Sequence, residues 1–215
     1  MRPRPETLPA NAPARPTAGA ARRAGGFTLL ELMVTLTVVG VVIGVGVPSM
    51  RTMMLNNSLT AVSNDLLASL LHARTEAIKR QANVVLCASA DSTAVAPTCT
   101  NGAANAWIVF QDSNGNWQAD ANETILERHP AINASILVRS DNQPVVSFAS
   151  SGFAAPAGPQ VPMRNIVFCD SRGVHPSGAT STARAVVISA TGRARVVSAN
   201  TDVLTALAAT GGTCP

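Results

Sequence analysis

Gly26-Phe27-Thr28-Leu29-Leu30-Glu31 opens a stretch that runs through Val38-Val39-Gly40 to Val47-Pro48 and holds one ionisable side chain, Glu31. At about 1.5 Å per residue, residues 27–47 make a helix roughly 30 Å long, which matches one bilayer core. A carboxylate placed in hydrocarbon costs at least ~2.5 kcal/mol, so an acid kept there marks a functional position. The stretch sets the class of the chain: an apolar helix with one acid near its start, followed by some 170 residues of ordinary polarity.

Residues 1–25 are rich in proline, alanine and arginine and show no apolar periodicity, so they cannot bury a core. They read as a cytoplasmic leader, removed on maturation. A secretory signal would need an apolar run of about 7–15 residues followed by a small-residue cleavage site. Here the run is longer and the glycine pair Gly25-Gly26 precedes it. That pair, behind Arg22-Arg23 and five residues ahead of Glu31, resembles the class III signal of type IV prepilins. The resemblance implies that a dedicated peptidase cuts after Gly26 and N-methylates Phe27. It also implies that Glu31 meets the terminal ammonium of a neighbouring subunit inside a filament.

The formal charge of +4 and pI of 9.4 suggest a nucleic-acid binder, but they mislead. Residues 1–26 carry Arg2, Arg4, Arg15, Arg22 and Arg23 against Glu6, which is the whole excess. From Phe27 onward 11 basic and 11 acidic side chains balance. Their distribution is uneven: residues 81–129 hold Arg128 against five acids, whereas residues 130–215 hold six arginines against three. A partner meets an acidic middle and a basic C-terminal half.

Cys87, Cys99, Cys169 and Cys214 all follow the apolar helix. The leader arginines place its N-terminus in the cytoplasm by the positive-inside rule, which puts the cysteines in the periplasm. Two disulfides are expected in that oxidising compartment. Four cysteines allow three connectivities, of which Cys87–Cys99 with Cys169–Cys214 pairs sequence neighbours and ties down the end of the chain. A zinc site is disfavoured because no CxxC pair or nearby histidine accompanies them.

Gly40, Gly44, Gly46 and Pro48 are expected to loosen or bend the helix. Leu55, Leu59, Val62, Leu66, Leu70, Ala73 and Ala77 then recur at helical spacing, opposite Asn57, Ser63, Asn64, Arg74 and Lys79. This is an amphipathic stem whose apolar stripe packs on its own globular domain. Beyond Gln81 the pattern becomes β: short β-branched runs at 84–86, 107–110, 124–128, 135–139, 145–148, 164–168, 184–189 and 193–198, with small-residue connections. The expected organisation is a leader (1–26), a transmembrane and filament-core helix (27–48), a helical stem (49–81) and a periplasmic β-rich domain (82–215). The fold class is α+β, a long helix on an antiparallel sheet. Pilins, which the signal resembles, have that ladle shape.

Several segments in order resemble the GspH/FimT group of minor pilins and pseudopilins. Arg74-Thr-Glu-Ala-Ile-Lys-Arg ends the stem, and a Val-Val-Leu-Cys strand follows. Trp-Ile-Val-Phe-Gln-Asp-Ser-Asn-Gly-Asn leads to Glu-Thr-Ile-Leu, and Ile-Val-Phe-Cys-Asp-Ser-Arg-Gly precedes a late Ser-Ala-Thr-Gly-Arg-Ala-Arg-Val. In the last of these, Ala190-Thr191-Gly192 reads as a hairpin turn, with Arg193 and Arg195 on one face of the second strand. Two guanidiniums so placed can bridge successive phosphates, assisted by Arg184, Arg172 or Arg164. The FimT resemblance links this Gly-Arg-x-Arg element to DNA capture. The plainer reading is a solvated edge hairpin, or a contact with an acidic neighbouring subunit. With no tyrosine and two tryptophans, base-stacking platforms are not expected.

Asp112, Asn114, Asn116, Asp120 and Glu123 occupy positions 1, 3, 5, 9 and 12 of a calcium-loop pattern, but Trp117 stands where that loop takes glycine. A hairpin turn with solvated acids is the stronger reading. His72, His129 and His175 are isolated, and no GxSxG element, P-loop or metal-spaced pair is present. No enzyme and no cofactor is expected. The expectation is therefore a minor pilin or pseudopilin in the inner membrane, processed by the prepilin peptidase and assembled with other major and minor pilins. DNA is its candidate ligand in a type IV pilus; secreted proteins are its partners in the alternative, a type II secretion pseudopilus.

Overall fold

The computed structural model describes residues 26–100, 105–141, 144–155, 163–177 and 179–215. The expected leader, Gly26 excepted, lies outside the described residues, as do residues 156–162 of a small-residue connection. The chain divides into two units, residues 1–46 and 47–215, whose boundary falls within helix α1 (Leu29–Arg80).

In the first unit the side chains are exposed almost all round, with a mean hydropathy of 2.3 over the most apolar window of α1. By length and composition this helix can cross a membrane. Thr28 starts it: its Oγ1 accepts a hydrogen bond from the Glu31 amide at 3.2 Å, and its carbonyl accepts the first intrahelical bond from Leu32. Thr28 and Glu31 thus stand at the N-cap and N3 positions of a T-x-x-E start signal. Helix α1 runs unbroken through Gly40–Pro48, with Pro48 inside it.

Among its described residues the second unit contains the rest of α1, nine strands and helix α2 (Asn200–Thr210). Strands β1 (Asn83–Ser89), β2 (Ala106–Asp112), β3 (Thr124–His129) and β5 (Val145–Phe148) form one sheet in the order β3-β2-β1-β5. The second sheet comprises β4 (Leu137–Ser140), β6 (Asn165–Cys169), β7 (Pro176–Ser177), β8 (Thr180–Ile188) and β9 (Ala194–Ala199). Its order is β4-β6-β8, with β7 and β9 both paired to β8. All pairings are antiparallel. The antiparallel β domain expected from sequence is thus built from two sheets.

Side-chain alternation explains the layers. On β1 and β2, Val84, Leu86, Trp107 and Val109 join the stem residues Leu59, Leu66, Leu70, Ala73 and Ala77 in the main core. Their neighbours Val85, Cys87, Ile108 and Phe110 face the other way, onto a second core capped by Trp117. The second sheet repeats this: Ile166, Phe168, Val186 and Ile188 belong to the main core, while Val167, Cys169, Ala183 and Ala185 pack beneath Val203 and Ala206 of α2. The runs of β1, β2 and β6 are apolar on both faces and carry little polar alternation, whereas β8 alternates through Thr182 and Arg184 before its apolar end.

The disulfides are Cys87–Cys99 and Cys169–Cys214, with Cα separations of 5.6 and 6.1 Å. The second secures the chain end, which also rests on Gly173 and bonds Arg139 through the Thr213 carbonyl.

The histidines are not all isolated. His72 Nδ1 lies 2.7 Å from Glu127 Oε2, and Ser69 Oγ donates to Glu127 Oε1 while accepting from Trp107 Nε1. The His129 ring stacks on Trp107 at 3.7 Å, with Nε2 3.7 Å from Asp65. Asp65, Ser69 and His72 share one stripe of α1, so this network clips β3 to the stem. Its partners lie some 55 residues apart, beyond the reach of any local motif.

Candidate nucleic-acid interface

The β8–β9 hairpin turns through Ser189-Ala190-Thr191-Gly192-Arg193. Gly192 N–H donates to the Ser189 carbonyl and Ser189 N–H to the Arg193 carbonyl, both at 2.9 Å. This three-residue loop needs a left-handed residue before strand pairing resumes, and Gly192 supplies it with φ 75°. No side chain fits there: a Cβ on Gly192 would lie 2.8 Å from the Gly152 carbonyl oxygen. The hairpin tip is thereby packed on the neighbouring loop.

Arg193 and Arg195 are both exposed and together line an open groove of about 450 Å3 with Val187, Ser189, Thr191 and Ala194. Arg195 pairs in register with Val187, on the sheet face that also carries α2, and its Nη1 stands 4.0 Å from Asp202 Oδ2. That exposed contact is long and weak. The Arg193 guanidinium has no carboxylate partner among the described residues. The groove therefore presents two cations, Arg195 from β9 and Arg193 from the last position of the turn, one of them lightly compensated.

The other arginines considered as helpers are placed elsewhere. Arg184 pairs with Phe168, so alternation puts it on the main-core face, opposite Arg195. Its Nη1 donates to the carbonyls of Ser181 and Ala183 at 2.7 and 3.0 Å. Arg172 forks onto Asp170, with Nη2 2.6 Å from Oδ2 and Nε 3.0 Å from Oδ1, and its Nη1 reaches Asn56. Burial pushes the Asp170 carboxyl up, but the Arg172 side chain and amide prevail and hold it below the usual carboxylate range. Arg172 thus serves the fold. Arg164 precedes β6, with its amide on Asp141.

In the acidic loop, Asp112 accepts from the amides of Gly115 and Trp117, Asp120 accepts from the side chains of Asn114 and Asn116, and Glu123 accepts from the amides of Ser113 and Asp120. Trp117 takes φ 61°, the conformation a calcium loop assigns to glycine, and buries its indole instead. The oxygens of the calcium pattern are used inside the loop. Among the described residues no group of three or more His, Cys, Asp or Glu side chains could hold a metal ion.

Sequence reading missed an aromatic at this edge. Phe153 follows Gly152 in the loop beneath Gly192 and is 53% exposed, whereas both tryptophans are buried. Its signal was the Ser150-Ser151-Gly152-Phe153 turn, which repeats the spacing of Ala190-Thr191-Gly192-Arg193.

In the first unit Gly26, Phe27 and Glu31 are all exposed, Phe27 at 83%. Residues 21–47 match the prokaryotic N-terminal methylation motif. Residues 62–192 match the family described as type II transport protein GspH. Among solved structures, the chain is similar to the type IV minor pilin FimU of Pseudomonas aeruginosa, at 17% identity and TM-score 0.45, over 66% of this chain and 89% of that one. It is also similar to the minor pseudopilin EPSH from the type II secretion system of Vibrio cholerae, at 11% identity and TM-score 0.44, over 67% and 96%. No curated protein sequence matches it.

Proposed function

Because the chain belongs to the GspH family of type II transport proteins, and is a minor pilin or pseudopilin with an N-terminal methylation motif, we propose that it is a low-copy subunit of a type IV filament whose β domain binds DNA. In this reading the prepilin peptidase cuts after Gly26 and methylates Phe27, and Glu31 compensates a neighbour's terminal ammonium. The second unit stands in the periplasm. Other major and minor pilins are its structural partners, and its role is mechanical and adhesive rather than catalytic.

The observation that carries the DNA reading is the shared exposure of Arg193 and Arg195 in one groove, held by a hairpin whose glycine admits no side chain. Two guanidiniums at the end of a hydrogen-bonded hairpin suit phosphate oxygens, which are read without regard to sequence. A neutral domain with few such contacts supports only weak binding, on the order of micromolar or poorer at physiological salt. Purified mature protein should therefore shift unrelated duplexes equally at low salt and release them steeply as salt rises. Arg193→Gln with Arg195→Gln should remove most of that affinity and flatten the salt dependence by about one to two in log–log slope. Binding by the double variant that equals wild type would end the proposal.

The family's own description, type II transport, favours a second reading: a pseudopilus subunit that takes part in export of folded proteins. In that case the groove faces a protein partner. Absence of DNA binding even at low salt, with loss of secretion in a deletion strain, would select it.

A further inference from the structure

The hairpin tip has a structural twin beside it. In the loop after β5, Gly152 N–H donates to the Ala149 carbonyl at 2.8 Å and Ala149 N–H to the Phe153 carbonyl at 3.0 Å. The hydrogen bonds that close Ser189–Arg193 follow the same scheme. Gly152 and Gly192 have φ 76° and 75°. The two turns abut through these glycines: a Cβ on Gly192 would stand 2.8 Å from Gly152 O and 3.1 Å from Ala154 N. Phe153 and Arg193 therefore occupy the same position in two turns packed against one another, and both are exposed.

A third group flanks the same spot. A Cβ on Gly152 would lie 3.3 Å from Arg74 Nε on the stem, so Arg74 borders the Phe153 turn. Arg74 and Arg193 have no carboxylate partner among the described residues. The exposed Phe153 ring thus belongs to a turn whose packed twin carries Arg193 and whose glycine lies against Arg74, so an aromatic face and two guanidiniums without carboxylate partners occupy adjoining positions.

We propose that Phe153 is a base-stacking platform beside phosphate contacts at Arg74 and Arg193, so that the nucleic acid held at this edge is an unpaired strand. This rests on the DNA reading of Arg193 and Arg195 and gives it a substrate class. Inside a duplex the faces of the bases are covered by their neighbours, and an aromatic ring outside the helix finds none to stack on. In an unpaired strand every base offers a face, whatever its identity, and the backbone can follow a line of cations beside it. The turn geometry suits this: both presenting residues are fixed by backbone hydrogen bonds and by glycines in van der Waals contact, so little ordering accompanies binding.

The test uses the mature full-length protein in detergent micelles. Fluorescence anisotropy would follow an oligothymidylate strand and a duplex of matched length, both at low salt. Phe153→Ala and Phe153→Leu should each weaken single-strand binding at least about fivefold and change duplex binding by less than about twofold. Arg193→Gln should weaken both. The leucine variant keeps an apolar side chain of similar size, and unchanged thermal melting would show that the turn survives. If the Phe153 variants bind the single strand like wild type while Arg193→Gln does not, the platform is wrong and the DNA reading stands. Equal losses on strand and duplex would likewise overturn the platform. If wild type binds neither nucleic acid, both readings fall and the phenyl group is left as a protein contact.

Discussion

Arg172 donates from Nη1 to Oδ1 of Asn56 at 2.9 Å, joining residues 116 positions apart, while its other nitrogens fork onto Asp170. The Asp170 carboxylate is 2% exposed and lies immediately after Cys169, so β6, the disulfide and the stem meet at this guanidinium.

That junction should be sensitive to acid. Asp170 is held below its ordinary pKa, so its stabilising contribution is present above the unfolded value near ~3.9 and is lost as pH falls through the lower folded value. Wild-type melting temperature should fall on acidification below about pH 4. Arg172→Met leaves a buried carboxylate alone and should cost about 3 kcal/mol at pH 7. Burial is then opposed by the residue 172 amide alone, so the carboxyl rises relative to wild type and the deficit narrows toward pH 4. Asp170→Asn should recover part of the loss in the double variant. Melting curves at the two pH values decide it, and an equal deficit at both would count against the clamp.

Much of this architecture was legible because its signals are local. The apolar run with Glu31, the stem stripe from Leu59 to Ala77 and the β-branched runs of β5, β6 and β8 each declare themselves within one continuous stretch of sequence. The hairpin around Gly192 was legible too, since the φ its turn requires selects glycine. Helix α2 was not: Val203, Ala206 and Leu207 make too short a stripe to stand out, and the helix rests on contact with the second sheet. The division into two sheets follows from long-range pairing, β1 with β5 and β4 with β6, that no local pattern states. The site was half legible. Arg193 and Arg195 were found by their spacing. Arg184 was misplaced because alternation along β8 puts it on the opposite face, and Phe153 was overlooked because the turn that its own turn packs against lies forty residues away.

Replacing glycine at two positive-φ sites should separate conformational strain from steric conflict. Gly115 and Gly192 have the same φ of 75°, but nothing stands within 4 Å of a Cβ at Gly115. Gly115→Ala should cost about 1 kcal/mol from backbone conformation alone. Gly192→Ala adds a clash with the Gly152 carbonyl, a backbone atom that cannot rotate away, and should cost about 2–3 kcal/mol. Denaturant titrations giving equal costs would show that the two turns are not in contact.

The disulfides should differ in weight. Cys169–Cys214 closes 45 residues and Cys87–Cys99 closes 12, which the chain-entropy relation converts to about 4 and about 3 kcal/mol. Removing the first by paired serine substitution should also free α2, whose Val203 and Ala206 would lose their seat on the second sheet. Hydrogen exchange should then accelerate across 200–210, while loss of Cys87–Cys99 should leave that helix protected. Mass mapping of the oxidised protein under non-reducing conditions tests the pairing itself, and a crossed connectivity would refute it.

Glu31 should matter for assembly and not for folding. Its amide is capped by Thr28, so the helix start does not depend on the carboxylate, and the side chain is exposed in the isolated subunit. A carboxylate that enters hydrocarbon needs a counter-charge, and under the proposed processing at Gly26 the ammonium of methylated Phe27 in a neighbouring subunit supplies it. Gly26→Ala should leave uncut precursor in the membrane, and mass spectrometry of the wild type should find the mature chain beginning at methylated Phe27. Glu31→Ala and Glu31→Gln should both be processed and inserted normally yet fall out of sheared filament fractions. Glutamine keeps the size and loses only the charge, so it isolates the electrostatic role. Thr28→Ala should weaken the helix start by about 1 kcal/mol and still assemble. Incorporation of Glu31→Gln at the wild-type level would remove charge pairing as the reason this acid sits in an otherwise apolar helix.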